Sequence, residues 1–281
     1  LVGSEMCIRD SNGLNRYDKS TGLFQNHTAS DAQSDGLTHS SIWCIVKDNQ
    51  GTLWLGTYFG GVNYFNPEYE IYSRYMYSPI EKKGLSNPVV GRTIEDKDGN
   101  LWIGTEGGGL NYYNRRTREF KWFRPEIGPN SISHNNIKAL YYDASKDIIW
   151  IGTHLGGLNR LDIRSGRFTH YRMEAGNPET LPSDIIRDIA PYQDHLVIAT
   201  QNGICLFDPA NGKCQQLFQD SKEGKKIKMV ADVTFDSNGT LWIAATGEGV
   251  FSYRFDTGKL TNYRHDTADP HSISCLLYTS D

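Results

Sequence analysis

Eight residues carry the side chains from which a binding or catalytic site could be assembled: His39, Tyr58, Phe59, Glu106, His134, His154, Gln201 and Glu248. Aromatic rings stack on the C–H faces of sugars, while amides and carboxylates hydrogen-bond hydroxyl groups in fixed directions. The set therefore suits recognition of a carbohydrate. His39, His134 and Glu106 are also groups that acid–base chemistry would use, so a lyase or hydrolase acting on a carbohydrate-like substrate is the alternative. No paired carboxylate or His–Glu spacing recurs along the chain, so binding is the favoured reading, the chain is not read as an enzyme, and no catalytic residue is assigned. His154 has no two further ligands at recognisable spacing, and no metal is expected. There is no HExxH, Walker loop or serine elbow, and no cofactor is expected. DKDGN from Asp96 and DSNGT from Asp236 resemble halves of a calcium loop but lack its downstream glutamate; they read as hairpin turns.

What must position these residues is a repeat. LWLGTYFGGVNYFN starts at Leu53, LWIGTEGGGLNYYN at Leu101 and IWIGTHLGGLNRLD at Ile149, with weaker copies at Leu196 and Leu241. The aligned positions Trp54, Trp102, Trp150, Val197 and Trp242 are 48, 48, 47 and 45 residues apart. That spacing is the length of a four-stranded propeller blade. Each period divides into four short runs rich in β-branched and aromatic residues, separated by Gly, Asn and Asp turns. Helical spacing of apolar residues is nowhere sustained.

The predicted fold is all-β: a β-propeller of four-stranded antiparallel blades, with five complete blades at 41–78, 89–125, 136–173, 184–220 and 228–265. A half blade occupies 12–29, and the whole is expected to be cut from a ring of seven. In a meander blade, loops after strands two and four share one face. The loops on that face vary: Tyr58-Phe59, Glu106, His154-Leu155, Gln201-Asn202 and Gly247-Glu248 follow strand two, and His39, Asn87, His134, Ser183 and Lys228 precede strand one. The opposite turns are uniform, so substitution of Asn49 or Asn100 is expected to leave folding and response intact.

The formal charge of −4 speaks against a nucleic-acid or anionic-membrane surface, and no apolar run is long enough to span a bilayer. The ends are anomalous. Met6–Asp10 and Cys275–Ser280 can be encoded by a transposon-end sequence used in sequencing libraries and by its reverse complement, so 1–11 and 275–281 are expected to be translated adaptor. Cys44, Cys205 and Cys214 are then the native cysteines.

The phrase LWIGT-x-GGGLN-x-Y-N from Leu101, continued to Phe120 and followed by NSISHN at Asn130–Asn135, resembles the two-component regulator propeller repeat. The resemblance covers residues 12–274, with departures at Val197, Ala199 and Ala244-Ala245. It implies the periplasmic sensor region of a hybrid two-component histidine kinase, with an oligosaccharide as ligand. A second propeller and downstream signalling domains would lie elsewhere in a parent protein that dimerises. The oxidising periplasm that it implies would permit a disulfide between Cys205 and Cys214, which flank the turn PANG; buried thiols are the alternative.

Overall fold

Short runs of alternating apolar and polar residues, broken every few positions by Asp, Asn and Gly, cannot line one face of a helix and fold as strands. The computed structural model describes residues 6–10, 13–18, 23–29, 37–66, 71–219, 221–265, 268–269 and 272–273. The chain forms two compact units, Leu1–Asp147 and Ile148–Asp281. Among the described residues the helical segments are 3-10 turns at Glu81–Lys83 and Gly224–Lys226.

In the first unit β1 (Met6–Asp10), β2 (Gly13–Asp18) and β3 (Leu23–His27) form a three-stranded sheet. Two four-stranded sheets follow in chain order. The first is β4 (Ile42–Lys47), β5 (Leu53–Thr57), β6 (Val62–Asn66) and β7 (Ile71–Tyr75); the second is β8 (Val90–Glu95), β9 (Leu101–Thr105), β10 (Leu110–Asn114) and β11 (Glu119–Phe123). The third sheet begins with β12 (Ile137–Asp143) and runs on through β13 (Ile148–Thr153), β14 (Leu158–Asp162) and β15 (Arg167–Tyr171) of the second unit. There the fourth sheet is β16 (Ile186–Tyr192), β17 (His195–Thr200), β18 (Gly203–Asp208) and β19 (Lys213–Gln216). The fifth is β20 (Val230–Phe235), β21 (Leu241–Ala245), β22 (Gly249–Arg254) and β23 (Lys259–Tyr263). These are the five blades of an all-β propeller fold, as the repeat requires.

The expected half blade has three strands, because Met6–Asp10 pairs along β2 with Cys7 opposite Arg16. It takes the place that LWIGT has elsewhere. Such pairing uses backbone groups and has no bearing on the segment's origin. Residues 1–5, 11–12 and 274–281, which hold most of the two expected adaptor segments, lie outside the described residues.

The second strand of each complete blade is the core. Leu53–Thr57 and Leu101–Thr105 bury every residue, although their side chains alternate between two faces. Gly104 explains how a neighbour comes so close: a Cβ there would sit 2.6 Å from Ile137 Cγ2 on the next first strand. Between the first two blades Trp54, Tyr75, Tyr113 and Phe120 form one aromatic cluster, with Trp54 and Tyr75 stacked at 5.9 Å and the Tyr75 and Tyr113 hydroxyls 2.6 Å apart. In the second unit Val197, Ile204, Val233, Ile243 and Phe251 fill the space between the fourth and fifth blades. Trp150 packs against Phe207 at 5.4 Å.

A carboxylate fixes the Trp of the repeat. Trp54 Nε1 donates to Asp48 Oδ2 (2.7 Å), Trp102 Nε1 to Asp96 (3.0 Å) and Trp242 Nε1 to Asp236 (3.0 Å). The other oxygen of each aspartate accepts backbone N–H groups two and four residues on, closing the turn. The would-be calcium loops are thus turn-and-tryptophan clamps. The Trp242 indole and the Thr240 N–H hold the Asp236 carboxyl below the usual carboxylate range. Asp48 also receives Arg115 from the second blade at 2.9 Å, and Arg115 lies over the Trp54 ring. Burial pushes the Glu95 carboxyl up, against the pull of the same Arg115.

Asn100 corrects one expectation. It is buried, its Nδ2 donates to Asp96 and its Oδ1 accepts from Arg115 N at 3.2 Å, so it holds two turns of its blade together. Asn49 is exposed, as expected.

The two cysteines sit on neighbouring strands of one hairpin. Cys205 lies opposite Gln216 and Cys214 opposite Phe207, so the two are diagonal and not directly opposed. The four-residue turn sets this offset of two, which keeps both side chains on one buried face. Both are free thiols with sulfurs 3.0 Å apart. Burial, then the neighbouring Cys214, pushes the Cys205 thiol well above its ordinary range. Such a thiol is a poor nucleophile at neutral pH. In reduced, folded protein, a colorimetric thiol reagent should leave Cys205 and Cys214 unmodified and label them on unfolding; peptide mapping would locate the label, and fast labelling of the folded chain would show the site to be open.

Asp48→Ala should lower stability by about 2 kcal/mol, because it orphans an indole N–H and leaves Arg115 only the longer contact with Glu95 at 3.5 Å. Asp98→Ala, at an exposed position of the equivalent turn in the second blade, should change stability by less than about 0.5 kcal/mol. Denaturant melts of the two variants check the difference.

Candidate functional site

The first strand of a blade carries the group nearest the mouth, and a β-bulge aims it. Ile42 pairs with Thr57 but Cys44 pairs with Gly56, which leaves Trp43 as the extra residue. The same shift occurs between Val90 and Thr93, Ile186 and Asp188, and Val230 and Asp232. A bulge turns a side chain out of the alternation of its strand. Trp43 and Arg187 are the side chains so displaced in the first and fourth blades; Lys138 holds the same place in β12.

Each meets the loop after the second strand. In the first unit Trp43 stacks on Tyr58 at 4.9 Å, Tyr58 meets Phe59 edge-on at 4.5 Å, and His39 approaches Tyr58 at 6.5 Å. Tyr58 is 38% exposed and Phe59 54%. This is an open aromatic platform. Lys138 forms an ion pair with Glu106. In the second unit Arg187 Nη2 donates to Gln201 Oε1 (3.1 Å).

The loops after strand two and the lead-ins to strand one lie together within each unit, as the meander requires. Tyr58 N donates to Ser41 O and Glu106 N to Val89 O in the first unit; Gln201 N donates to Ile185 O and Thr246 N to Met229 O in the second. A further bond links neighbouring blades: Gly109 N reaches Asn135 O (2.8 Å), Gly157 N reaches Asp184 O (2.9 Å) and Gly203 N reaches Lys228 O (3.1 Å). Gly109 has φ +81°, and a Cβ there would collide with the Phe123 carbonyl. The glycines after LWIGT therefore serve this seam and hold no phosphate cradle.

Several residues expected at the site have structural duties. His39 Nδ1 accepts from Ser41 N (3.0 Å) and His134 Nδ1 from Asn136 N (3.0 Å). Asn87 and Ser183 make the same bond two residues ahead at their own lead-ins. The imidazoles are caps for the first strand through Nδ1. Glu248 is paired with Arg264 at 3.2 Å. His154 is half-buried beside the exposed Leu155.

The structure thus brings His39, Tyr58 and Phe59 together, gives Glu106 and Gln201 cationic partners, and keeps His134 and Glu248 in local bonds. Sequence reasoning missed Trp43, Lys138 and Arg187. The only signal was an aromatic or long cationic residue directly after the first apolar residue of strand one. Among the described residues no three His, Cys, Asp or Glu side chains gather as a metal site would need.

Propeller blades with a bulge-lined mouth define a class of fold. Within it, the two-component regulator propeller family model matches residues 36–59 and 84–107, so the chain carries that repeat. A second model, the SMP-30/gluconolactonase/LRE-like region, matches 139–275. No curated protein matches the chain in sequence. Among solved structures the chain is similar to the extracellular domain of a protein described as a hybrid two-component system, BT3049 of B. thetaiotaomicron, with 19% identity and a TM-score of 0.80 over 98% of this chain and 35% of that one. It is also similar to the extracellular domain of BT4673 from the same organism (20% identity, TM-score 0.58, 94% of this chain and 42% of that one). A streptogramin B lyase is similar as well, at 12% identity and TM-score 0.69, over 95% of this chain and 81% of the lyase. The chain spans well under half the length of the first two. At these identities the likeness is one of fold.

If His134 is a strand cap, His134→Asn should be nearly neutral, since Asn87 does the same work one blade earlier. His134→Ala should cost about 1 kcal/mol. Equal losses in chemical denaturation would mean that the imidazole has another role.

Proposed function

We propose that this chain is the ligand-recognising part of a bacterial two-component sensor. It works outside the cytoplasm, in the periplasm, and hands its signal to a kinase carried elsewhere in a longer, dimeric protein with a second propeller. The observation that supports this most is the two-component regulator repeat at 36–59 and 84–107, on a fold shared with the extracellular domain of such a system over 98% of this chain. The two-component neighbours are extracellular domains, and no helix among the described residues is long and apolar enough to cross a membrane.

The aromatic platform of the first unit supports a ligand class. Trp43, Tyr58 and Phe59 offer flat apolar faces at the surface of the first unit, with His39 beside Tyr58 as a polar neighbour. A neutral oligosaccharide presents the same mixture of C–H faces and hydroxyls. Glu106 is engaged by Lys138 and among the described residues has no second carboxylate or imidazole beside it to share acid–base work, which supports binding over turnover.

The second reading is a propeller lyase or hydrolase acting on a carbohydrate-like substrate. It is supported by the gluconolactonase-like match at 139–275 and by the lyase neighbour. Titration calorimetry and product analysis with a panel of oligosaccharides separate the two: saturable binding without turnover is the outcome expected. Trp43→Ala should weaken that binding by at least about tenfold, roughly 1.4 kcal/mol, with the melt unchanged. Turnover of any panel member would reassign the chain to the enzymes.

A further inference from the structure

The second unit holds a cleft of about 810 Å³ between residues 173–182 after β15 and residues 216–219 and 224–228 after β19. Its size is that of a small-molecule site. Leu181, Pro182 and Ile227 are buried and make an apolar floor. Its rim is a set of amides, Asn177, Asn202, Gln216 and Gln219, together with the ammonium groups of Lys225 and Lys228. Among the described residues lining the cleft Glu174 is the one carboxylate, and its Oε2 already accepts from Asn177 Nδ2 at 3.0 Å.

The connector that brings the lysines is held in a definite shape. Phe218 has φ +67°, a conformation that a bulky side chain adopts only when its surroundings impose it. Its ring is fixed edge-on against Tyr253 at 4.8 Å. Gly224 packs so tightly on Phe218 that a Cβ would collide with the Phe218 carbonyl, and its N–H donates to Ser221 Oγ (2.8 Å). Backbone strain held in place by packing is characteristic of ligand sites. The 3-10 turn that follows, Gly224–Lys226, sets Lys225 and Lys228 at the rim. Lys226, by contrast, is paired with Glu223 at 2.8 Å. From Ser221 to Lys228 the chain carries four lysines and one glutamate, in a protein of net charge −4.

We propose that this cleft binds an anionic sugar unit, a uronate or sulfate ester, with the lysines on the acid group and the amides on the hydroxyls. An apolar floor beneath a rim of amides matches a pyranose ring. Two ammonium groups against one internally bonded carboxylate match a negative charge on it. The inference rests on the carbohydrate-sensing reading above and adds to it a second site, apart from the Trp43–Tyr58 platform, for a charged class of glycan.

The test titrates the folded chain with three tetrasaccharides: unsulfated chondroitin, sulfated chondroitin and neutral cellotetraose. One or both anionic probes should bind, more weakly as salt rises from about 50 to about 500 mM. The double variant Lys225→Gln, Lys228→Gln should lose at least about tenfold in affinity with an unchanged melt. Unsulfated chondroitin binding alone identifies the uronate; a requirement for sulfate identifies the ester. Anionic binding that survives the double lysine variant overturns the proposal, as does failure of both anionic probes. If only cellotetraose binds, through Trp43, the sensor reading stands and this inference falls. If no saccharide in the wider panel binds, both fall.

Discussion

Both faces of each blade's second strand must be kept dry, and the rest of the structure serves that end. Leu53–Thr57 and Leu101–Thr105 leave no residue exposed, so their alternating side chains need a neighbour above and below. A blade cannot satisfy this alone. Gly104 makes room for Ile137, and Trp54 reaches the aromatic rings of the next blade, where Asp48 and Arg115 close the polar end of the same seam. The indole is half of a packing surface and half of a hydrogen-bonded clamp, which is why the aspartate six residues earlier accompanies it in three blades.

That seam also decides where chemistry can occur. Hydrogen bonds from Gly109, Gly157 and Gly203 to the lead-in of the following blade draw the variable loops to one face in each unit. The imidazoles of His39 and His134 are spent on ordering those lead-ins, and what remains for a ligand is what the bulges present. Trp43, Lys138 and Arg187 occupy equivalent places with unlike side chains, so one position of the first strand displays a different group in the first, third and fourth blades. Such a scaffold fixes positions and leaves the chemistry free to vary.

The two units contribute differently. The first presents a neutral aromatic platform at Trp43, Tyr58 and Phe59; the second presents a basic, amide-rimmed cleft whose strained Phe218 is pinned by Tyr253. The connector after β19 departs from the repeat, which frees it to carry lysines and a 3-10 turn without disturbing the packed strands.

The sequence alone determined the blade count, the four-strand meander and the sorting of loops by face. These follow from period and alternation, which are local properties: a LWIGT run with Gly-Gly after it can fold in few ways. It also placed Tyr58 and Phe59 at the mouth. The roles of single polar residues were decided only in three dimensions. Asn100 read as an idle turn residue until Arg115 N arrived from fifteen positions on. His39 and His134 read as ligands until their Nδ1 atoms met backbone N–H groups. Cys205 and Cys214 read as opposed until the turn set their register two residues off. Trp43 was hidden because a bulge breaks the alternation from which facing is inferred. A hydrogen bond depends on tenths of an ångström and on partners remote in sequence, whereas a strand depends on its neighbours in the chain, and that difference in range separates what could be read from what had to be folded.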